Sequence, residues 1–97
     1  MKLRYSDMVK QTIGIPIIKT LGQLAFSVPP VEKFHIFTMK EIGKGELEIV
    51  HYIPNAEYNA TVLVTTDQKL KYCNEPVCAI VDSDCVYVSL LNELSCI

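Results

Sequence analysis

Residues 34–53 decide the fold and read FHIFTMKEIGKGELEIVHYI. The runs Phe34–Ile42 and Glu46–Ile53 are rich in β-branched, aromatic and other apolar residues, and Gly43-Lys44-Gly45 joins them. A short connection that contains glycine, placed between two such runs, is typical of a β-hairpin. We therefore predict an antiparallel β-hairpin with its turn at Gly43–Gly45.

The register of this hairpin stays open at the level of sequence. If Ile42 pairs with Leu47, then Glu41 lies opposite Glu48, and such a like-charge pair is destabilising. A shift by one residue pairs Lys40 with Glu48 but places Glu41 beside Leu47. In both registers each face of the hairpin carries apolar residues, so we expect it to be covered on two sides.

A hairpin with apolar residues on both faces is expected to take part in protein association. The core of one small domain covers one face, and an apolar face left in water would form a patch larger than most monomers expose. We therefore predict that the principal partner-facing surface includes the hairpin, centred on Ile36, Thr38, Val50 and Tyr52.

The N-terminal third has the pattern of two short helices. Ser6-Asp7 can cap a helix that runs through Thr12 and ends at Gly14. Pro16 suits the first turn of a second helix that reaches Phe26, and Val28-Pro29-Pro30 ends it. The sequence thus predicts one domain, residues 1–97, in which a helical segment 1–30 packs on a β-rich core 31–97.

Four more strands are predicted after the hairpin. They are Asn59–Thr66, Lys69–Cys73, Val77–Asp82 and Cys85–Ser89. If Cys73 faces Cys78, and a tight turn at Ser83-Asp84 places Asp82 opposite Cys85, then apolar residues share one face, namely Leu70, Tyr72, Ala79, Val81, Val86 and Val88. Ser89 is expected to cap a final helical turn that carries three leucines.

Six short strands with short helical segments at both ends predict a mainly β fold. We expect a small antiparallel barrel or sandwich. The alternative is an α+β arrangement with the helices on one face of an antiparallel sheet.

Residues 71–81 read KYCNEPVCAIV and carry a Tyr-x-x-Glu-Pro-Val run. This segment resembles a strand–turn–strand in the hammerhead domain of molybdenum hydroxylases. The resemblance covers about a ninth of the chain and implies a hairpin only, since it includes no functional residue.

The composition excludes several classes of protein. The chain has 97 residues, 49% of them hydrophobic, and a formal charge of -2. These values exclude a disordered chain and a polybasic nucleic-acid arm. No apolar run approaches the about 18 residues of a membrane-spanning helix. The charge is uneven, because residues 1–44 sum to +4 and residues 45–97 to -6.

All four cysteines lie in the last quarter of the chain, at positions 73, 78, 85 and 96. Their spacing lacks the C-x2-C pair that grips a zinc ion, so no metal site is expected. A four-residue loop would place Cys73 and Cys78 within reach of a cross-strand disulfide. The alternative is that the cysteines are free thiols that pack as small apolar residues.

No other motif indicates catalysis or a cofactor. His35 and His51, on one face of the hairpin in the shifted register, could begin a metal or acid–base site, but we interpret them as strand histidines with satisfied hydrogen bonds. Asp82 and Asp84 are interpreted as turn residues. Gly43-Lys44-Gly45 lacks the remaining residues of a phosphate-binding loop.

The sequence therefore favours a small non-enzymatic interaction module or accessory subunit, with no cofactor, that binds itself or another protein. One alternative is an OB- or SH3-like nucleic-acid-binding barrel whose aromatic residues stack on bases, namely Phe34, Phe37, Tyr52, Tyr58 and Tyr72. A second alternative is a ligand-binding protein or enzyme with a site at a subunit interface. The acidic balance disfavours nucleic acid, and few scattered cations disfavour a membrane surface. The N-terminus lacks the pattern of a signal peptide, so we expect a cytoplasmic protein with reduced thiols.

Overall fold

The computed structural model describes residues 2–27, 32–65 and 74–94. The strands are β1 (Lys2–Tyr5), β2 (Phe34–Gly43), β3 (Glu46–Ile53), β4 (Tyr58–Thr65), β5 (Val77–Asp82) and β6 (Cys85–Leu90). The helices are α1 (Asp7–Ile13), α2 (Ile15–Ser27) and α3 (Leu91–Leu94), and a 3-10 turn, Pro54–Ala56, precedes β4.

The six strands form one sheet in the order β1-β6-β5-β2-β3-β4. β1 runs parallel to β6, and the other neighbouring strands are antiparallel. The mainly β class with short helices is confirmed. The sheet does not close into a barrel, because within the described residues β1 and β4 are its two edges. The arrangement matches the α+β alternative, with α1 and α2 on one face of a sheet that is antiparallel except at β1.

The predicted strand set differs from the observed one at its ends. Segment 1–30 was predicted to be helical, but Lys2–Tyr5 forms an edge strand beside Cys85–Val88. The predicted strand Lys69–Cys73 lies outside the described residues, as does the proline pair that was expected to end α2. Ser89 belongs to β6 rather than capping a helix, and α3 begins two residues later.

Helix α1 begins and ends for local reasons. The Ser6 hydroxyl accepts a hydrogen bond from the Val9 amide at the start of α1, as the capping prediction requires. Gly14 then adopts φ 80° and ψ 160°, a conformation that suits glycine and separates α1 from α2. These observations confirm the two predicted helices.

The core lies between these helices and one face of the sheet. Helices α1 and α2 supply Val9, Ile13, Ile17, Ile18, Leu21 and Ala25, all of them buried. The sheet supplies Phe37, Met39, Leu47, Ile49, Val77, Ala79, Val81, Val86, Val88 and Leu90. The predicted pairing of Asp82 with Cys85 and the shared face of the β5 and β6 valines are confirmed.

The hairpin adopts the shifted register. Lys40 lies opposite Glu48 and Glu41 opposite Leu47, with an irregularity between Glu41 and Gly43 that absorbs the offset next to the turn. Phe37 consequently faces His51. This register replaces a Glu–Glu pair with a Lys–Glu pair, which is the favourable choice electrostatically.

Candidate functional site

The second face of the sheet, opposite α1 and α2, is called the open face. Its centre is formed by Ile36 and Thr38 of β2 and by Val50 and Tyr52 of β3, which we call the hairpin surface. Ile36 lies directly opposite Tyr52, and Thr38 directly opposite Val50. Ile36 and Val50 are half-buried, Thr38 is exposed, and 42% of Tyr52 is accessible to solvent. The structure thus brings together all four residues predicted for an interface.

The surroundings of the hairpin surface divide into a charged end and a buried end. Lys40 and Glu48 form the next cross-strand pair along the open face, toward the turn. Beside Ile36, on β5, lies Cys78, whose thiol is buried and 3.2 Å from the Ser89 hydroxyl. The hairpin surface itself is therefore uncharged, and the pair Lys40–Glu48 lies next to it toward the turn.

A histidine pair lies on the core face of the same hairpin. Nδ1 of His35 is 2.8 Å from Nε2 of His51, and both side chains are buried. Nε2 of His35 is 2.7 Å from the backbone carbonyl oxygen of Glu32. Because a carbonyl oxygen only accepts, His35 donates through Nε2, and its Nδ1 then accepts the Nε2 proton of His51. This chain of hydrogen bonds fixes one neutral tautomer on each ring.

Burial favours the neutral form of both histidines. The Phe37 ring stacks on His51 with centroids 4.6 Å apart, and Tyr58 contacts His51 edge-on at 5.2 Å. Loss of hydration, followed by repulsion from a charged His35, lowers the pKa of His51 from 6.5 to about 4. Burial also lowers the pKa of His35, although the Glu32 carbonyl and carboxylate oppose that shift.

The histidines are interpreted from sequence as strand residues with satisfied hydrogen bonds, and the structure confirms this, with one bond between the two rings and one to the Glu32 carbonyl. The two rings were expected on one face, but their direct hydrogen bond was not predicted. Both side chains are at most 1% exposed, so a bound substrate would not reach them. In the part of the chain that the structure describes, no group of three His, Cys, Asp or Glu side chains could hold a metal ion.

The other predicted residues have ordinary surroundings. Cys78 is a free buried thiol whose pKa is raised by burial, and Cys85 is a free thiol that is partly exposed. Because Cys78 is a free thiol, the structure does not contain the disulfide predicted between Cys78 and Cys73, and Cys73 itself lies outside the described residues. Asp82 is the last residue of β5, and Asp84 lies in the β5–β6 turn, as the sequence predicts for turn residues. Ser83, between them, has φ 55°.

The aromatic residues expected of a nucleic-acid-binding barrel do not share one surface. Phe34 and Tyr52 lie on the open face, whereas Phe37 is fully buried on the core face, where it stacks on His51. Tyr58 also contacts His51 from the core side, and Tyr72 lies outside the described residues. The described aromatic residues therefore form no continuous stacking platform.

Comparisons with protein-family models, with curated proteins and with solved structures gave no match. Within residues 2–27, 32–65 and 74–94, no helix has the length and apolar character needed to cross a membrane.

Proposed function

We propose that this chain is a small non-enzymatic interaction module or accessory subunit that self-associates through the hairpin surface. The observation that carries the proposal is the position of four adjoining, uncharged residues on the face of the sheet opposite α1 and α2: Ile36, Thr38, Val50 and Tyr52. Apolar patches of this kind, rimmed by polar residues, are typical of protein contact sites.

A second copy of the chain fits this surface by charge. The open face carries Lys40 and Glu48 side by side at one end of the patch. In a two-fold dimer the same patch of each copy forms the interface. If the two-fold axis passes between Lys40 and Glu48, the positive side chain of one copy lies opposite the negative side chain of the other. Lys40 of each copy could then approach Glu48 of the other, with the apolar side chains buried between them.

The test compares two tyrosines of similar exposure. Tyr52 is 42% exposed and Tyr87, on β6, is 38% exposed on the same open face. They are three strands apart, roughly 14 Å at the usual strand spacing. We expect Tyr52→Asp to abolish a concentration-dependent increase in mass measured by light scattering and sedimentation, and Tyr87→Asp to leave it intact.

The fold of each variant is checked by urea unfolding, because a loss of association matters only in a folded chain. Both tyrosines are solvent-accessible, so both substitutions should preserve the unfolding transition. Ile36→Lys should reproduce the effect of Tyr52→Asp. The proposal is wrong if Tyr52→Asp and Ile36→Lys leave the assembly mass of the wild type unchanged, or if the wild type stays monomeric at millimolar concentration.

A further inference from the structure

The buried histidine pair lies directly behind the hairpin surface. His35 precedes Ile36 in β2, and His51 lies between Val50 and Tyr52 in β3. Successive residues of a strand point to opposite faces of the sheet, so each histidine points into the core from the same stretch of backbone that presents a hairpin-surface residue. A displacement of either ring that moves this backbone therefore moves the hairpin surface as well.

The pair has a defined place for one more proton. His35 donates through Nε2 to the Glu32 carbonyl oxygen, and one proton lies between Nδ1 of His35 and Nε2 of His51, which are 2.8 Å apart. While both hydrogen bonds are kept, an added proton is carried by Nδ1 of His51, whichever ring bears the charge. A second added proton would place two N–H groups against each other and break the bond between the rings.

The side chains around the rings give that charge little support. Those against or opposite the rings in the neighbouring strands are aromatic or alanine, and Tyr58 is the titratable one: Phe37 of β2, Tyr58 and Ala60 of β4, and Ala79 of β5. The 3-10 turn Pro54–Ala56 and the inward sides of α1 and α2 add uncharged side chains. Among the described residues, the carboxylate that acts on the pair is that of Glu32, on the side of His35. Because an ion buried with so few partners is unfavourable, protonation favours a hairpin that has moved far enough to admit water.

We propose that protonation of the histidine pair releases the contact at the hairpin surface, so that self-association weakens in mildly acidic solution. The inference rests on the proposed function and adds its regulation by pH. In the dimer, the second copy holds Val50 and Tyr52 in place, so β3 does not move to hydrate His51. The monomer has no such restraint and binds the proton more tightly. By linkage, a proton that binds the monomer more tightly favours dissociation to the same extent.

The direction and size of the effect follow from proton uptake. The pKa of His51 is lowered from 6.5 to about 4 in the folded chain, so uptake on opening begins as the pH falls below about 6.5. If each copy binds one proton on dissociation, the dimer dissociation constant rises by up to about 100-fold for each pH unit. Opening of the hairpin offsets part of this gain. We therefore expect the constant to rise at least about tenfold between about pH 7.5 and about pH 5.5.

The test compares the wild type with His51→Gln. Light scattering and sedimentation over a dilution series measure the dissociation constant of both chains at the two pH values, and urea unfolding checks that they stay folded. Glutamine can still donate to Nδ1 of His35 but does not titrate, so the variant should keep one dissociation constant at both pH values. Titration of carboxylates such as Glu48, next to the hairpin surface, occurs in both chains and cancels in the comparison.

NMR titration of the histidines tests the reciprocal effect without a change in the pair. The chain has two histidines, so their ring-proton signals can be followed directly. In the wild type the midpoint should lie at a lower pH above the dissociation constant than below it, because the dimer resists protonation.

Three results overturn this inference alone: equal wild-type affinity at both pH values, a parallel loss of affinity in the wild type and His51→Gln, or a histidine titration that does not depend on concentration. The proposed function is tested separately, by the loss of assembly in Tyr52→Asp at about pH 7.5. A wild type that is monomeric at that pH overturns both.

Discussion

Acidification should destabilise this fold through the buried histidine pair. The pKa of His51 is lowered from 6.5 to about 4 in the folded chain. At pH values between these two, the unfolded chain therefore binds more protons than the folded chain. Stability is therefore complete above about pH 6.5 and falls as the pH decreases toward 4. One histidine with these pKa values lowers the free energy of unfolding by about 2 kcal/mol between about pH 7.5 and pH 5. The lowered pKa of His35 acts in the same direction.

The assay is urea unfolding of the wild type and of His51→Gln over that pH range. Glutamine can still donate a hydrogen bond to Nδ1 of His35 but does not titrate, so its unfolding free energy should depend less on pH. The difference between the two chains isolates the histidine from carboxylates that titrate in both. Parallel pH profiles for the wild type and His51→Gln would refute the reasoning, because the pair would then contribute no proton uptake on unfolding.

Three further predictions concern capping, backbone conformation and thiol reactivity. Ser6→Ala removes both the cap of α1 and the hydrogen bond that the hydroxyl donates to Glu93, and should cost about 1–2 kcal/mol in urea unfolding. A cost of only a few tenths would show that the cap is dispensable. Gly14→Ala forces an L-residue into φ 80°, ψ 160° and should cost about 1–3 kcal/mol by the same assay, so unchanged stability would contradict the strain argument. Iodoacetamide should label Cys85 before Cys78 in the native chain, because Cys78 is buried and its pKa is raised; peptide mass spectrometry showing equal rates would contradict this.

The sequence alone determined the features that depend on neighbours along the chain. Ser6 and Gly14 bound the first helix because a cap and a helix-ending glycine act within one turn. Gly45, at φ 77°, lies in the β2–β3 turn for the same local reason. The alternation of apolar residues also located the hairpin surface, because a period of two places every second residue on one face.

The tertiary structure alone decided which segments meet. Lys2–Tyr5 is too short to carry a strand pattern of its own, and becomes β1 only because β6 offers it an edge. The sequence left the hairpin register open because both choices place apolar residues on both faces. In the structure, packing against the helices buries Phe37, Leu47 and Ile49 on one face, which is the shifted register. The His35–His51 hydrogen bond follows from that register, because it places both histidines on the core face. An alternation of apolar residues with a period of two predicts a strand, but it does not say which strand lies beside it. Contacts between segments distant in sequence therefore depend on the arrangement of the whole sheet.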